Sequence, residues 1–334
     1  MLKTAFKRLL QLPLILAAVY SITLALDWAV PGNPLERPEG RRPPPEVIAA
    51  MQARYKLDNF WTFYWSYLGG VTGVTWAREQ LSAAADPSEA TASPLPSAPK
   101  PIFDFGPSLQ YRDRSVNEII VGSLPVSMVL GATAILIALG LGLTAGVVGA
   151  WKPNSWLDGS TLLLALLGIS VPTFVVATFL QLVFAVWFPI FTVGQYRLPQ
   201  SILLPAITLS LPFAAYIARL TRIGMIEALQ SDYVRTARAK GASEWRVLTH
   251  HALKNAFLPV LSYLGPACAM AMTGSFVVER IYSIPGMGQH FVNAVQNKDL
   301  FLLLGIVLVF ATMLILLNLA VDLLYRWVDP RVRI

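Results

Sequence analysis

Six stretches of the chain run without a single aspartate, glutamate, lysine or arginine: Leu9 to Leu26, Ile119 to Trp151, Gly159 to Tyr196, Leu198 to Ala218, Asn255 to Val278 and Leu300 to Val321. A helix crossing a hydrocarbon core of about 30 Å needs about 20 mostly apolar residues, so each stretch can cross a bilayer once. The third is longer than one span requires. Trp187, Phe188 and Pro189 fall where a Leu/Val-rich helix would reach the membrane interface, so Val193 to Tyr196 reads as loop. The pattern therefore predicts an all-α membrane protein of six transmembrane helices with both termini on one side.

Composition agrees: 55% of the 334 residues are hydrophobic and 13% charged, about half the charge an average soluble domain carries. Soluble enzymes, disordered chains and nucleic-acid-binding domains are excluded on that ground. The single cysteine, Cys268, excludes a disulfide framework and any site needing two thiolates. Lys3, Lys7 and Arg8 precede the first span, and Arg326, Arg331 and Arg333 follow the last, which puts both termini in the cytoplasm by the positive-inside rule. On that topology the inner segments hold 14 basic against 6 acidic residues and the outer ones 12 against 13, so the net charge of +7 reports topology. The first apolar run reads as a retained helix, since no small-x-small cleavage site stands out near Asp27 to Pro34.

The spans divide the chain into a cytoplasmic tip and first span (1–30), a large external segment (31–116), a core of five spans (117–325) and a cytoplasmic tail (326–334). Within the external segment, Pro43 to Leu68 carries a helical apolar pattern (Val47, Met51, Tyr55, Phe60, Tyr64, Tyr67) suited to a surface helix, with Gly69 and Gly70 as its stop. Between residues 82 and 101, 15 of 20 residues are Ala, Ser or Pro, which reads as a flexible insertion. In the second span Ala134, Ala138, Gly142, Gly146 and Ala150 leave one helix face almost bare, for close approach either by another subunit or by a helix of this chain.

The longest inner segment, 219–254, shows clear helical grammar. Glu227 to Lys240 is rich in helix formers, with Lys240 in the last turn and Gly241 where a left-handed cap belongs. Ser243 can cap a second short helix that begins at Glu244, and that helix offers Trp245, Val247 and Leu248 beside Arg246, His250 and His251 to the cytoplasm. Such a surface fits a protein partner, the alternative being a basic helix resting on anionic lipid. Tethered this close to two spans, it has poor access to a nucleic-acid duplex.

The run Asp232-Tyr-Val-Arg-Thr-Ala-Arg-Ala-Lys-Gly241, followed by His251-Ala-Leu-Lys-Asn-Ala-Phe-Leu-Pro259, resembles the cytoplasmic signature of permeases of binding-protein-dependent ABC importers, in their dipeptide, oligopeptide and nickel branch. Further landmarks of that branch occur in order: Ala29-Val-Pro-Gly-Asn-Pro34, Asp104-Phe-Gly-Pro-Ser108, Ser170-Val-Pro-Thr-Phe174, Arg219-Leu-Thr-Arg222, and Gly274-Ser-Phe-Val-Val-Glu279 running into Pro285-Gly-Met-Gly288. Two features depart from the general pattern. Arg235, Thr236 and Ala237 stand where the broader motif opens Glu-Ala-Ala, as is common in the peptide branch, and the Ala/Ser/Pro insertion precedes Phe103.

The resemblance implies a type I importer permease in the bacterial inner membrane. It implies a second homologous permease, two separate ATPase subunits carrying ATP and Mg, an extracytoplasmic solute-binding protein and surrounding lipid as partners. No cofactor is expected in this chain. The coupling element would comprise Asp232, Tyr233, Arg235, Ala237, Arg238, Lys240, Gly241, Ala242, Ser243, Glu244, Trp245 and Arg246, with Arg235, Arg238 and Lys240 available for ion pairs to the ATPase. The external turn from Glu279 to His290, with Glu279, Pro285, Gly286 and Gly288, is expected to line an outer gate or touch the binding protein. No Gly-Lys dipeptide exists to form a P-loop, and the three histidines, His250, His251 and His290, read as surface residues. A stand-alone carrier or membrane enzyme is the competing reading. It would call for ionisable residues at mid-span, and the six runs lack them.

Overall fold

The computed structural model describes residues 2–31, 45–85, 101–111, 113–192, 194 and 200–328. Helices carry the fold. In chain order they are α1 (Leu2–Ala29), α2 (Pro45–Tyr55), α3 (Phe60–Val71), α4 (Val74–Ala85), α5 (Val116–Trp151), α6 (Trp156–Ser170), α7 (Thr173–Gln181), α8 (Gln200–Leu229), α9 (Asp232–Ala239), α10 (Glu244–Arg246), α11 (Leu253–Met272), α12 (Phe276–Ile281), α13 (Met287–Gln296) and α14 (Leu300–Val328). Wider π turns, Leu182–Trp187 and Val247–Ala252, extend α7 and join α10 to α11.

Five helical stretches are long and apolar enough to cross a membrane: Leu10–Ala29, Val116–Trp151, Gln200–Leu229, Glu244–Ile281 and Leu300–Leu324. The remaining expected span is not straight, because Trp156–Ser170 and Thr173–Trp187 meet at 102°. The cause is local. Val171 precedes Pro172 and sits at φ −81°, ψ 125°, the extended conformation that a following proline ring imposes. A charge-free run says nothing about a bend inside it, which is why the sequence alone reads as one span.

Contacts divide the chain into two compact units. The first comprises 1–12, 123–289 and 312–334, and its core is built by α5, α7, α8, α11 and α12 around Leu130, Ile135, Phe213, Ile217, Val260 and Tyr282. The bare face of α5 is settled here. A Cβ on Gly142 would lie 2.7 Å from Ala214 O and Ile217 Cβ, and one on Gly146 would lie 2.5 Å from Thr221 Cβ, so the small residues admit α8 of the same chain.

The second unit comprises 13–122 and 290–311. Tyr20, Phe63, Tyr67 and Phe301 cluster there, Tyr20 stacking on Tyr67 with ring centroids 5.7 Å apart and Phe301 meeting Phe63 edge-on at 5.4 Å. Ser108 donates to the Asp299 carboxylate, and Gln110 Nε2 donates to Asn297 O at 2.9 Å. The expected surface helix divides at Lys56, whose φ is +56°, into α2 and α3, and Asn59 caps α3 by accepting from Trp61 N at 2.9 Å. Gly69 and Gly70 lie inside α3, and the turn out of it is made at Gly73 (φ +77°). Of the insertion, Ser82–Ala85 completes α4, and 86–100 lies outside the described residues, as do the tail from 329, Val193, Tyr196 and the side chain of Val47.

Candidate functional site

The segment 219–254 is mostly helix. α8 continues past the charge-free run to Leu229, carrying Arg219, Arg222 and Glu227, and α9 follows after two residues. α9 ends in a Schellman motif: Ala242 N donates to Ala237 O at 3.1 Å, Gly241 N donates to Arg238 O at 2.9 Å, and Gly241 has φ +80°. Gly241 therefore occupies the left-handed position expected of it. Across this turn Arg238 Nε and Nη2 donate to the Glu244 carboxylate at 2.9 and 3.2 Å.

Three expectations change. Ser243 stands at the start of α10 but makes no capping bond, and the Arg238–Glu244 pair bridges the same turn on its surface. The following helix is not separate, because α10, the π turn and α11 are continuous and form one end of a span. Val247 and Leu248 do not face outward. Both are buried, Leu248 in a cluster with Ala150, Met225, Ala228, Ala252 and Ala256, because the helix's apolar side needs α5 and α8 more than it needs a partner.

The outer face is left aromatic and basic. Trp245 is 73% exposed, and Tyr233, Arg235, Lys240 and Arg246 are exposed with it. Val234 and Ala237 on the opposite face of α9 are buried, and Asn255 Nδ2 donates to Tyr233 Oη at 2.8 Å, so the knuckle formed by α9, the turn at Gly241 and α10 is tied to the start of α11. Arg238 is engaged with Glu244, and Arg235 lies 3.4 Å from Asp232, both on the surface. Exposed pairs of this kind contribute little and exchange readily for others. His250 is exposed, and His251 is half-buried with its ring nearly perpendicular to it. His290, in the second unit, is not a surface residue: its ring packs edge-on against Tyr111, and burial together with Arg114 holds its imidazole below the ordinary range, hence neutral at pH 7.

The turn 279–290 is tighter than its glycines and proline suggest. Glu279 is 0% exposed. Its Oε1 accepts from Ser127 Oγ at 2.7 Å, and its Oε2 accepts from Gln289 N at 3.2 Å. A Cβ on Gly286 would collide with that carboxylate, and one on Gly288 would lie 2.9 Å from it. Of the four residues expected to face a gate or a partner, only Pro285 is exposed; Ser283 joins it on the surface. A glutamate between Val278 and Arg280 gives no sign in sequence that its partner lies 152 positions away.

A second buried charge was also invisible. Asp158 accepts from Arg222 Nε at 2.5 Å and Nη2 at 2.7 Å, and from Asn154 N at 2.8 Å, joining the start of α6 to α8. Each residue stands beside a charge-free run and reads there as a flanking charge.

Five helical stretches long and apolar enough to cross a membrane, together with one broken pair, are the pattern of a multi-pass membrane protein. The description "binding-protein-dependent transport system inner membrane component" matches residues 119–334. The chain belongs to that family and is a permease of an ABC importer, a multi-pass protein of the bacterial inner membrane. It is 40% identical over 338 residues to the oligopeptide transport system permease protein OppB of Escherichia coli, covering 100% of both chains. It is 36% identical over 335 residues to the dipeptide transport system permease protein DppB of Bacillus subtilis, covering 100% of this chain and 99% of that one. A chain of the inward-facing MetNI methionine ABC transporter superposes with a TM-score of 0.49 at 16% identity, covering 64% of this chain and 96% of that one.

Proposed function

We propose that this permease forms half of a translocation pathway for peptides, beside a second homologous permease, and is driven by two ATPase subunits that hold the ATP and Mg. Peptide is the solute because the full-length relatives OppB and DppB are peptide permeases. Both termini and the knuckle are cytoplasmic on this reading, as the basic inner segments suggest. An external binding protein delivers the solute to the side bearing the turn 279–290, which lines the outer gate.

The observation that carries the reading is the exposed Trp245 and Arg246 on a turn whose other face is packed into the core. A push on that surface reaches α8 and α11 through Leu248, packed with Met225 and Ala256, and through the Tyr233–Asn255 bond. Trp245 is the anchor, since aromatic side chains dominate such interfaces. Trp245→Ala is expected to lower co-purification of the ATPase subunits several-fold at unchanged membrane expression, because its side chain touches little of its own chain. Full ATPase recovery with normal peptide-stimulated hydrolysis would leave the knuckle as a membrane-surface helix. Peptide as the solute is checked by competition: di- and oligopeptides should block uptake of a labelled peptide in cells relying on this importer, and nickel, glutathione or sugars should not.

A further inference from the structure

The short helix α12 and the turn after it touch three core helices through two buried polar side chains. On one side, Glu279 and Ser127 join the turn to α5. Ser127 Oγ donates to Glu279 and also accepts from Met287 N at 2.7 Å, so one hydroxyl ties both ends of the turn to one point on α5. On the other side, Tyr282 Oη donates to Ala177 O of α7 at 3.0 Å and shares a hydrogen bond of 2.8 Å with Thr208 Oγ1 of α8. Tyr282 is buried among α7, α8 and α12. Within the turn, Ile284 N donates to Glu279 O at 2.8 Å, and Gln289 Nε2 donates to Ile284 O at 2.7 Å and Glu279 O at 3.1 Å.

Glu279 has no lysine, arginine or histidine as an ion-pair partner among the described residues, so its carboxylate is stabilised by donated hydrogen bonds alone. A buried carboxylate is tolerable only when its oxygens are met in this way. The glycines of the turn are what let those donors come close, since a side chain at 286 or 288 would occupy the carboxylate's place. A plain connecting loop needs none of this.

We propose that Glu279 and Tyr282 are positioning residues that lock the turn 283–289 to α5, α7 and α8, so that movement of those helices reaches the turn as a rigid displacement. This rests on the reading of the turn as the outer gate. The lock transmits motion already generated at the cytoplasmic knuckle, and the two residues touch neither solute nor ATPase.

The test uses the complete importer in proteoliposomes, with a cysteine at exposed Ser283 and Cys268 replaced by Ala. Two further substitutions, Glu279→Gln and Tyr282→Phe, are introduced singly. Phenylalanine keeps the ring and loses only the hydroxyl bonds. Glutamine keeps the shape but turns one acceptor oxygen into a donor facing Ser127 or the backbone amides. In the parent, labelling of Ser283→Cys should differ between the nucleotide-free and vanadate-trapped states. In each variant that difference should shrink, and peptide transported per ATP hydrolysed should fall, about ten-fold for Glu279→Gln and about three-fold for Tyr282→Phe, with hydrolysis within two-fold of the parent. A parallel fall of transport and hydrolysis would mean a merely structural role and overturn the proposal. State-dependent labelling that persists undiminished in both variants would overturn the lock alone. Labelling that never changes in the parent would overturn the gate reading and the lock with it.

Discussion

Replacing Asp158 by Ala should destabilise the folded permease by about 1–3 kcal/mol, the usual range for leaving a partly buried polar group without its hydrogen-bond partner. Asp158 is 2% exposed and Arg222 21%, and two short bonds join them. Loss of the carboxylate leaves a half-buried guanidinium with no opposite charge and turns it toward water. Asp158 also fixes the entry to α6 by accepting from Asn154 N, a residue at φ +60°, so the turn between α5 and α6 should loosen with it. The expected result is a large drop in the yield of monodisperse protein and in its thermal midpoint in detergent. Arg222→Ala should behave comparably, and the double variant should be distinctly less unstable than the two effects added, because no uncompensated charge remains. Strict additivity would show that the two residues act independently and would remove the pair as an explanation.

The Gly241→Val variant should insert and fold but fail to transport. A Cβ at this position meets nothing within 4 Å, so the effect is one of backbone alone. At φ +80° a β-branched residue is strained by about 1–2 kcal/mol, and relief comes from re-aiming α10 and Trp245 relative to α9. Such a strain is small beside the stability of the spans and large beside the precision an interface needs. Asparagine tolerates left-handed backbone better than other residues, so Gly241→Asn should keep most of the transport and Gly241→Ala should lie between. Transport and ATPase co-purification, measured at matched membrane expression, should follow that order. If all three substitutions perform alike, the direction of α10 does not matter, and the coupling role proposed for the knuckle fails.

The pattern of charged positions along the chain was enough to find the membrane helices, because burying a charge in hydrocarbon is so unfavourable that its absence over about 20 residues has few other causes. The knuckle was legible for a different reason. Helix ends are local events, and a lysine before a glycine announces a left-handed cap whose hydrogen bonds close within six residues. Gly241 is found where that rule puts it.

Which faces of those helices meet, and with what, is set by contacts between distant residues, and these leave no local mark. The stripe from Ala134 to Ala150 said that something comes close, and only the packing of α8 at Gly142 and Gly146 said what. Val247 and Leu248 looked like part of an outward surface until Met225 and Ala256 were found beneath Leu248. Asp158 and Arg222, 64 positions apart, and Ser127 and Glu279, 152 apart, pair in ways that no spacing predicts. The bend at Pro172 stands between these cases: the sequence supplies the proline that holds Val171 extended, but a kinked span and a broken one share that signal, and only the structure shows the 102° turn. Hydrophobicity and capping act over one turn to one span of helix, and the sequence determines what they govern. Complementarity between surfaces is a property of the assembled fold, and only the tertiary structure decided it.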